Sequence, residues 1–458
     1  MSTTRGKTLP GRKRWPIVVL SILCILLVVL AVFAVNPSLL QNIVVSTSGT
    51  SPAKTQTGTI STTSPTYQAE AQAVAQQYMT ALLKQDYSAM WSLLHPQIRS
   101  MWSNERAFAR FWQARFRDFR LQNFTIGNVR SLPEWVNPDT MLVYGQVAEM
   151  PVSLQLQPSS TLQQQSQVPP EDLHPGQVLR NLPFVVQKIP GTNGGTAQWF
   201  VLDGGPADLE APILPPMNPP EKAVQVPILM YHHISDVPTR TVLALSLTVT
   251  PTRFSQHLDY LKQRGYHTIT FNQLFNALYF GGPLPQQPII LTFDDGYDDA
   301  YKFAFPILKA HGFSGMFYII TGKVGWGGQA TWPQLRTMLA SGMQIGSHTI
   351  NHVDMGRLLA AAPGETQKEL QQSQAALQKN LGVAIQQFCY PSGEPFRHGT
   401  LAEQQQIVAL LAADGYVGAT TDPGQTGIDQ NSQAPFVLLR LRVDGRESLQ
   451  GFEHSMPW

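Results

Sequence analysis

At 458 residues the chain exceeds one ordinary domain, and two or three are expected. Charged residues make up 14% and the formal net charge is +2, so no broad basic field exists, which argues against nucleic acid as a partner. The two cysteines, Cys24 and Cys389, lie in unrelated surroundings and provide no disulfide framework, an inventory compatible with an exported protein.

In chain order, residues 1–16 form a basic tail with Arg5, Lys7, Arg12, Lys13 and Arg14. The uncharged run "IVVLSILCILLVVLAVFAV" follows over residues 17–35. About 20 apolar residues cross a bilayer. Basic residues ahead of the run keep that end cytoplasmic. The expectation is a single-pass anchor in the cell membrane with everything after it outside the cytoplasm. The alternative is a signal segment cleaved near Val32 and Ala34, giving a secreted protein. Leu23 precedes Cys24 where a lipoprotein signal carries a small residue, so no lipid anchor is expected. Residues 36–65, rich in Ser and Thr, read as a flexible linker.

Residues 66–205 read as a small α+β domain. "AEAQAVAQQYMTALLKQDYSAMWSLLHPQ" has helical periodicity broken near Gln85 and Asp86, and "SNERAFARFWQARF" opens with Ser103 as the expected cap. Strand-like runs follow: "FTIGNV", "TMLVYGQVAEM", "LPFVVQKI" and "AQWFVLDG". Helices followed by an antiparallel sheet resemble, at the level of pattern, nuclear-transport-factor-two-like domains. No catalytic constellation falls there, which implies a spacer or binding module. Residues 206–225, with "PADLEAPILPPMNPPEK", form a stiff proline-rich linker.

From 226 to 458 the pattern alternates strand and helix. Strands are expected at 226–231, 267–270, 288–293, 315–320, 343–347, 386–390, 416–420 and 436–443. Gly265, Gly312, Gly342, Gly382 and Gly415 each precede a strand, where glycine closes a helix, and Thr250-Pro251 suits a helix start. Repeated βα units imply a parallel sheet. The expected fold class is therefore α/β: a distorted (β/α)7–8 barrel, preceded by one membrane helix and a small α+β domain.

The stretch "IILTFDDGYDDAY" places Asp294, Asp295, Asp298 and Asp299 within six residues after an apolar run. Crowded carboxylates repel, and partial burial adds a desolvation cost. A cation would make the arrangement tolerable. For Asp298 and Asp299 the plainer expectation is a helix start, with carboxylates capping free N–H groups. Other chemically capable residues fall at C-terminal strand ends: His232 and His233, His348 and His352 in "SHTINH", Tyr390, Pro391 and Ser392, and Asp422. That is the face where βα barrels carry active sites. His348 and His352 are four residues apart, so both imidazoles can reach one point, and one carboxylate completes three ligands with positions left open. "HxxxH" alone is as readily a surface pair; together with "TFDDG" it reads as a metal site.

"LTFDDGYDD" and "SHTINH" in this order resemble the polysaccharide deacetylase family, also called the NodB homology domain or carbohydrate esterase family four. The resemblance covers about residues 226–450. It implies hydrolysis of N-acetyl groups on a glycan, with Asp294 as general base and Asp295, His348 and His352 as ligands of a divalent metal, zinc first, cobalt or nickel suiting the same ligands. The implied substrate is peptidoglycan, poly-N-acetylglucosamine or a chitin-like oligomer. Two departures stand out. "FCYPSG" puts Cys389 where the family has arginine, so another residue must orient Asp294; Arg440 and Arg442 on the last strand are candidates, with Tyr390 and Pro391 expected as substrate contacts or support. The late Leu-x-His motif is also missing. "LMYHHI" instead resembles the poly-N-acetylglucosamine deacetylase subgroup, which implies His232 as the acid that protonates the leaving amine, with His398 and His454 as alternatives. His233 reads as a neighbour of His232, the alternative being a loop histidine bonding backbone. Tyr297, Trp326 and Trp332 can stack on sugars or simply pack. Two other functions remain open: a polysaccharide O-acetyl esterase, and a non-catalytic glycan-binding envelope scaffold.

Overall fold

The computed structural model of the chain describes residues 64–137, 142–159, 178–190, 196–202, 213–216, 218–236, 241–422 and 427–458. The basic tail, the apolar run at 17–35 and most of the Ser/Thr-rich linker lie outside the described residues. Among the described residues no helix is long and apolar enough to cross a membrane.

The small domain begins with helix Pro65–Lys84. The Ser64 hydroxyl accepts from Tyr67 N, and Pro65 occupies the first turn, where its missing N–H costs nothing. The helix stops at Gln85, left-handed at φ 57°, and the Asp86 carboxylate caps the next helix, so the break falls where the pattern placed it. Helix Glu105–Arg115 is capped by Asn104 rather than Ser103: the Asn104 side chain accepts from Ala107 N at 3.0 Å. Ser103 lies one residue too far back for that reach. Five antiparallel strands follow, Phe119–Ile126, Arg130–Val136, Val143–Pro158, Val178–Ile189 and Gln198–Val201. Arg130–Val136 was not among the expected strands. Its Pro133 and charges argue against a strand, yet it pairs only with Val143–Pro158, at an edge where proline is tolerated.

In the second domain, among the described residues, eight short strands form one parallel sheet, seven of them along a ring. The ring strands are β1 (Ile228–Tyr231), β2 (Pro288–Phe293), β3 (Met316–Ile319), β4 (Gln344–Ser347), β5 (Gln387–Cys389), β6 (Gly418–Thr420) and β7 (Leu441–Arg442). Pairing runs β1-β2-β3-β4-β5-β6. Leu438 then bridges Thr420 of β6, and β7 pairs with Leu229 and Met230 of β1, so the hydrogen-bonded path returns to its first strand. The expected strand at 436–443 thus divides its two halves between two neighbours. His267–Thr268 pairs only with Pro288 and Ile289, the start of β2, whereas the end of β2 pairs with β3; this shared edge distorts the ring.

Side-chain alternation along β2 explains where the aspartates point. Phe293 stacks between Tyr231 of β1 and Phe317 of β3, with ring centroids 5.4 and 4.6 Å apart. Phe254 of helix Pro251–Gln263 packs edge-on against Tyr231 and Phe293, which places that side of the sheet against the helices. Residues 292 and 294 therefore turn the other way, into the barrel.

Helix Phe271–Phe280 is buried along its whole length, including Asn272, Gln273 and Asn276. A barrel's outer helix ordinarily keeps a polar, solvated side. Here the small domain covers it: Phe111 of helix Glu105–Arg115 meets Phe280 edge-on at 6.3 Å. Near the end of the proline-rich linker, Lys222 adds a hydrogen bond from Nζ to Ala277 O at 2.7 Å.

Candidate metal and catalytic centre

Asp294 and Asp295 leave the end of β2 in a tight turn, Asp295 at φ 75° and Gly296 at φ 72°. Thr349, His352 and Ser392 also hold positive φ, at 65°, 58° and 55°. A left-handed backbone is costly for residues with a Cβ. Four such residues gather in the loops after β2, β4 and β5, the loops that carry the expected metal and catalytic residues.

Asp294 is 4% exposed, and its Oδ1 accepts a hydrogen bond from Arg440 Nη1 at 2.8 Å. Arg440 is held in turn by Thr421 O, which accepts from Nε at 3.0 Å, and by Cys389 Sγ, 3.3 Å from Nη2. The guanidinium thus reaches both Asp294 and the small Cys389 side chain from the segment that closes the ring, and Arg440 is the candidate that orients Asp294. Burial alone would raise the Asp294 pKa; the buried Arg440 guanidinium overcomes it and holds the carboxyl below its usual value. Arg442, the other candidate, does not reach Asp294. It pairs with Asp422 at 3.2 Å on the exposed rim, where Arg397 approaches the same carboxylate at 3.8 Å.

Asp295 Oδ1 lies 3.4 Å from His348 Nε2 and 3.3 Å from His352 Nε2, and this buried oxygen receives no hydrogen bond. An unpartnered buried carboxylate oxygen facing two imidazole nitrogens is costly without a cation. Ligands about 2.0–2.1 Å from a tetrahedral zinc stand about 3.3 Å from one another. The three atoms therefore fit a divalent cation. His348 Nδ1 is 2.8 Å from Cys389 O; as donor there it leaves Nε2 as a lone-pair ligand. Burial holds the His352 pKa down to about 4, so it presents a neutral imidazole. Under this loop the Glu369 carboxylate accepts from Ile350 N, Asn351 N and Asn351 Nδ2 at 2.8, 3.0 and 2.6 Å. Glu369 was not legible in the sequence, because it sits in an ordinary polar stretch of helix Pro363–Leu381.

Of the three histidines considered as acid, only His232 stands at this centre, with Nε2 4.0 Å from Asp294 Oδ2. His398 pairs with Glu394 at 2.5 Å on the surface, and His454 Nδ1 lies against Gln450 O on helix Leu449–Ser455. Burial lowers the His232 pKa; Asp294 and Asp295 oppose this only in part. His233 does not bond backbone. Its Nδ1 is 2.6 Å from Asp299 Oδ2, and its ring lies flat on Tyr297 at 3.6 Å. Asp299 consequently caps no helix; its second oxygen accepts from Ile234 N at 3.4 Å, and the following turn, Ala300–Ala304, is a π-turn without a side-chain cap. Asp298 instead pairs with Lys302. Tyr390 is 1% exposed and packs against Phe388 and Phe396, with Pro391 buried beside it, so the ring supports the loop from within. Trp332 packs on the core, whereas Trp326 is exposed.

A family profile described as polysaccharide deacetylase matches residues 281–409, which include both aspartates, both metal-site histidines and Cys389 but neither His232 nor Arg440. The chain is 31% identical over 224 residues to the Bacillus subtilis (strain 168) protein YxkH, whose name calls it a polysaccharide deacetylase; the match spans 49% of this chain and 73% of that one. It is 26% identical over 159 residues to the poly-beta-1,6-N-acetyl-D-glucosamine N-deacetylase of Staphylococcus aureus (strain MSSA476), spanning 32% of this chain and 54% of that one. Among solved structures, the Streptococcus pyogenes deacetylase PplD in complex with acetate is similar at 27% identity and a TM-score of 0.44, covering 51% of this chain and 99% of that one.

Proposed function

Because the chain belongs to the polysaccharide deacetylase family, we propose that it is a metal-dependent N-deacetylase of an extracytoplasmic glycan built on N-acetylglucosamine, poly-N-acetylglucosamine or peptidoglycan. The apolar run at 17–35 would tether it to the membrane, a placement that rests on sequence alone. The observation that carries the catalytic reading is the pair of adjacent aspartates in opposite roles. Asp295 faces two imidazole nitrogens through an unpartnered oxygen, while Asp294, one residue away, is tied to Arg440 and faces His232.

A divalent cation on Asp295, His348 and His352, with zinc favoured and cobalt or nickel fitting the same donors, would polarise the acetyl carbonyl and acidify water. The residues of the chain supply the rest. Arg440 keeps Asp294 ionised and fixes one carboxylate oxygen, leaving Oδ2, which accepts only a weak bond from Cys389 Sγ at 3.6 Å, to take a proton from the attacking water. His232 Nε2, 4.0 Å from that oxygen, is placed to hold the proton for the departing amine. An amide nitrogen leaves poorly without one, so a proton donor suits amide cleavage more than ester cleavage. His348 is kept in one tautomer by Cys389 O.

Acetate release from poly-N-acetylglucosamine, peptidoglycan and chitin oligomers, with and without chelator, tests this reading. Release from at least one of them that stops with chelator and returns with zinc is the expected result. No release from any, by protein shown to hold metal, would leave a glycan-binding scaffold.

A further inference from the structure

Residues 321–330 leave β3, the strand between the two that carry the metal site. The start of this loop is tied to the histidine loop: Thr321 N donates to Thr349 O at 3.1 Å and Gly322 N to Ile350 O at 2.9 Å. Its end is tied to the aspartate loop: Ala330 N donates to Gly296 O at 2.9 Å, and Gly328 O accepts from Asp298 N at 3.0 Å. Between these anchors the loop closes on itself through Trp326 N to Lys323 O, Gln329 N to Trp326 O and Gly325 N to Ala330 O, at 2.9, 3.0 and 3.0 Å. The backbone that presents Trp326 is thus held at both ends by the loops that carry the metal-site residues.

Trp326 is nonetheless 65% exposed. A Cβ built on Gly325, Gly327 or Gly328 would meet nothing within 4 Å, so the apex stands clear of the protein. A tryptophan side chain has roughly 150–250 Å² to bury, and leaving most of it in water on an ordered loop forgoes that gain. The other two aromatics singled out in the sequence are already engaged, Tyr297 with His233 and Trp332 with the core. The apolar C–H face of a pyranose ring is the matching surface, and a polymeric substrate necessarily extends such rings beyond the one that reacts.

We propose that Trp326 forms a saccharide-stacking subsite beside the catalytic centre, holding a sugar ring that neighbours the N-acetylglucosamine being deacetylated. The proposal rests on the glycan reading above. The stacked ring makes the same contact before and during acetyl hydrolysis, so its binding lowers KM and leaves kcat nearly unchanged. Only substrates long enough to span both places benefit; a small aryl acetate does not.

The test compares wild type, Trp326→Ala and Trp326→Phe on three substrates: a β-1,6-linked N-acetylglucosamine pentamer, a peptidoglycan fragment, and 4-nitrophenyl acetate. For whichever glycan the wild type deacetylates, Trp326→Ala should raise KM about tenfold with kcat within about twofold, and Trp326→Phe should recover most of the loss. Hydrolysis of the aryl acetate should be unchanged in both variants. An unchanged glycan KM in Trp326→Ala overturns the subsite alone. An equal loss on the aryl acetate overturns it too, by showing a structural role. A metal-loaded wild type that cleaves the aryl ester but neither glycan overturns the glycan reading and the subsite with it.

Discussion

Asp294 and Arg440 place opposite full charges 2.8 Å apart, each residue 4% exposed. Breaking such a pair by removing one partner costs about 3–5 kcal/mol, because the other charge stays buried alone. Arg440→Met should therefore lower unfolding stability by about that amount in denaturant melts, and deacetylation should fall with it. Lysine should not rescue, since an ammonium cannot serve Asp294, Thr421 O and Cys389 together. The sign of the pH effect follows. Asp294 is depressed in the fold, so its contribution is full above its unfolded pKa and is lost as pH falls through the folded value. Arg440→Met should shrink that acid-side dependence, and an unchanged pH–stability curve would contradict the pairing. His232 gives a second prediction. Burial lowers its pKa, and a cation on Asp295 would act in the same direction, so an imidazole with the proposed role would start neutral and gain its proton during turnover. The rate should show no alkaline fall from His232 between about pH 7 and 9. An alkaline limb in wild type that vanishes in His232→Gln would show that the residue must start protonated. At this scale the clustering of Asp295, His348 and His352 was legible, because their type and spacing carry the chemistry. Arg440 could not be separated from Arg442, since nothing in "LLRLRV" says where the strand stops and the rim begins.

The strands of the barrel are two to six residues long, yet most expected runs contain one, because a buried parallel strand is a short apolar block between turn residues. What the blocks did not show was partner choice. Residues 435–442 divide between β6 and β7's neighbour β1, which only the closure of the ring decides. Asp299 was misread for a related reason. Local rules put a carboxylate before a helix to cap it, whereas here His233 and Ile234 N, 66 and 65 residues away in sequence, claim it first. That contact joins the loop after β1 to the loop after β2. A double-mutant cycle on His233→Ala and Asp299→Ala should return a coupling of about 1–3 kcal/mol in unfolding stability. A coupling near zero, with all of the loss in Asp299→Ala, would restore the helix-cap reading.

The proline-rich linker and the change of periodicity at 226 lead to the expectation of a domain boundary there, with the small domain a spacer or binding module. The structure shows it docked. Helix Phe271–Phe280 gives up its solvated side, and Phe111 covers Phe280. A chain beginning at residue 218 would expose that apolar helix to water. It should aggregate, or unfold at a lower temperature than the chain from 64 onward, and residues 64–458 should unfold in one transition by calorimetry. Two separated transitions, with the barrel's midpoint unchanged by removal of the small domain, would show a tethered module. Hydropathy could not reveal this contact. The run "FNQLFNALYF" gathers Asn272, Gln273 and Asn276 on one side, which reads as a helix with a solvated face and gives no sign that another domain covers it.

The most direct test is the metal content of four purified proteins: wild type, Asp294→Asn, Asp295→Asn and His352→Ala. Elemental analysis should find close to one divalent ion per chain in wild type and in Asp294→Asn, and little in the other two, while acetate release is lost in all three variants. A full complement of metal in Asp295→Asn and His352→Ala, or acetate release that survives loss of Asp294, would contradict the division of labour between the two aspartates.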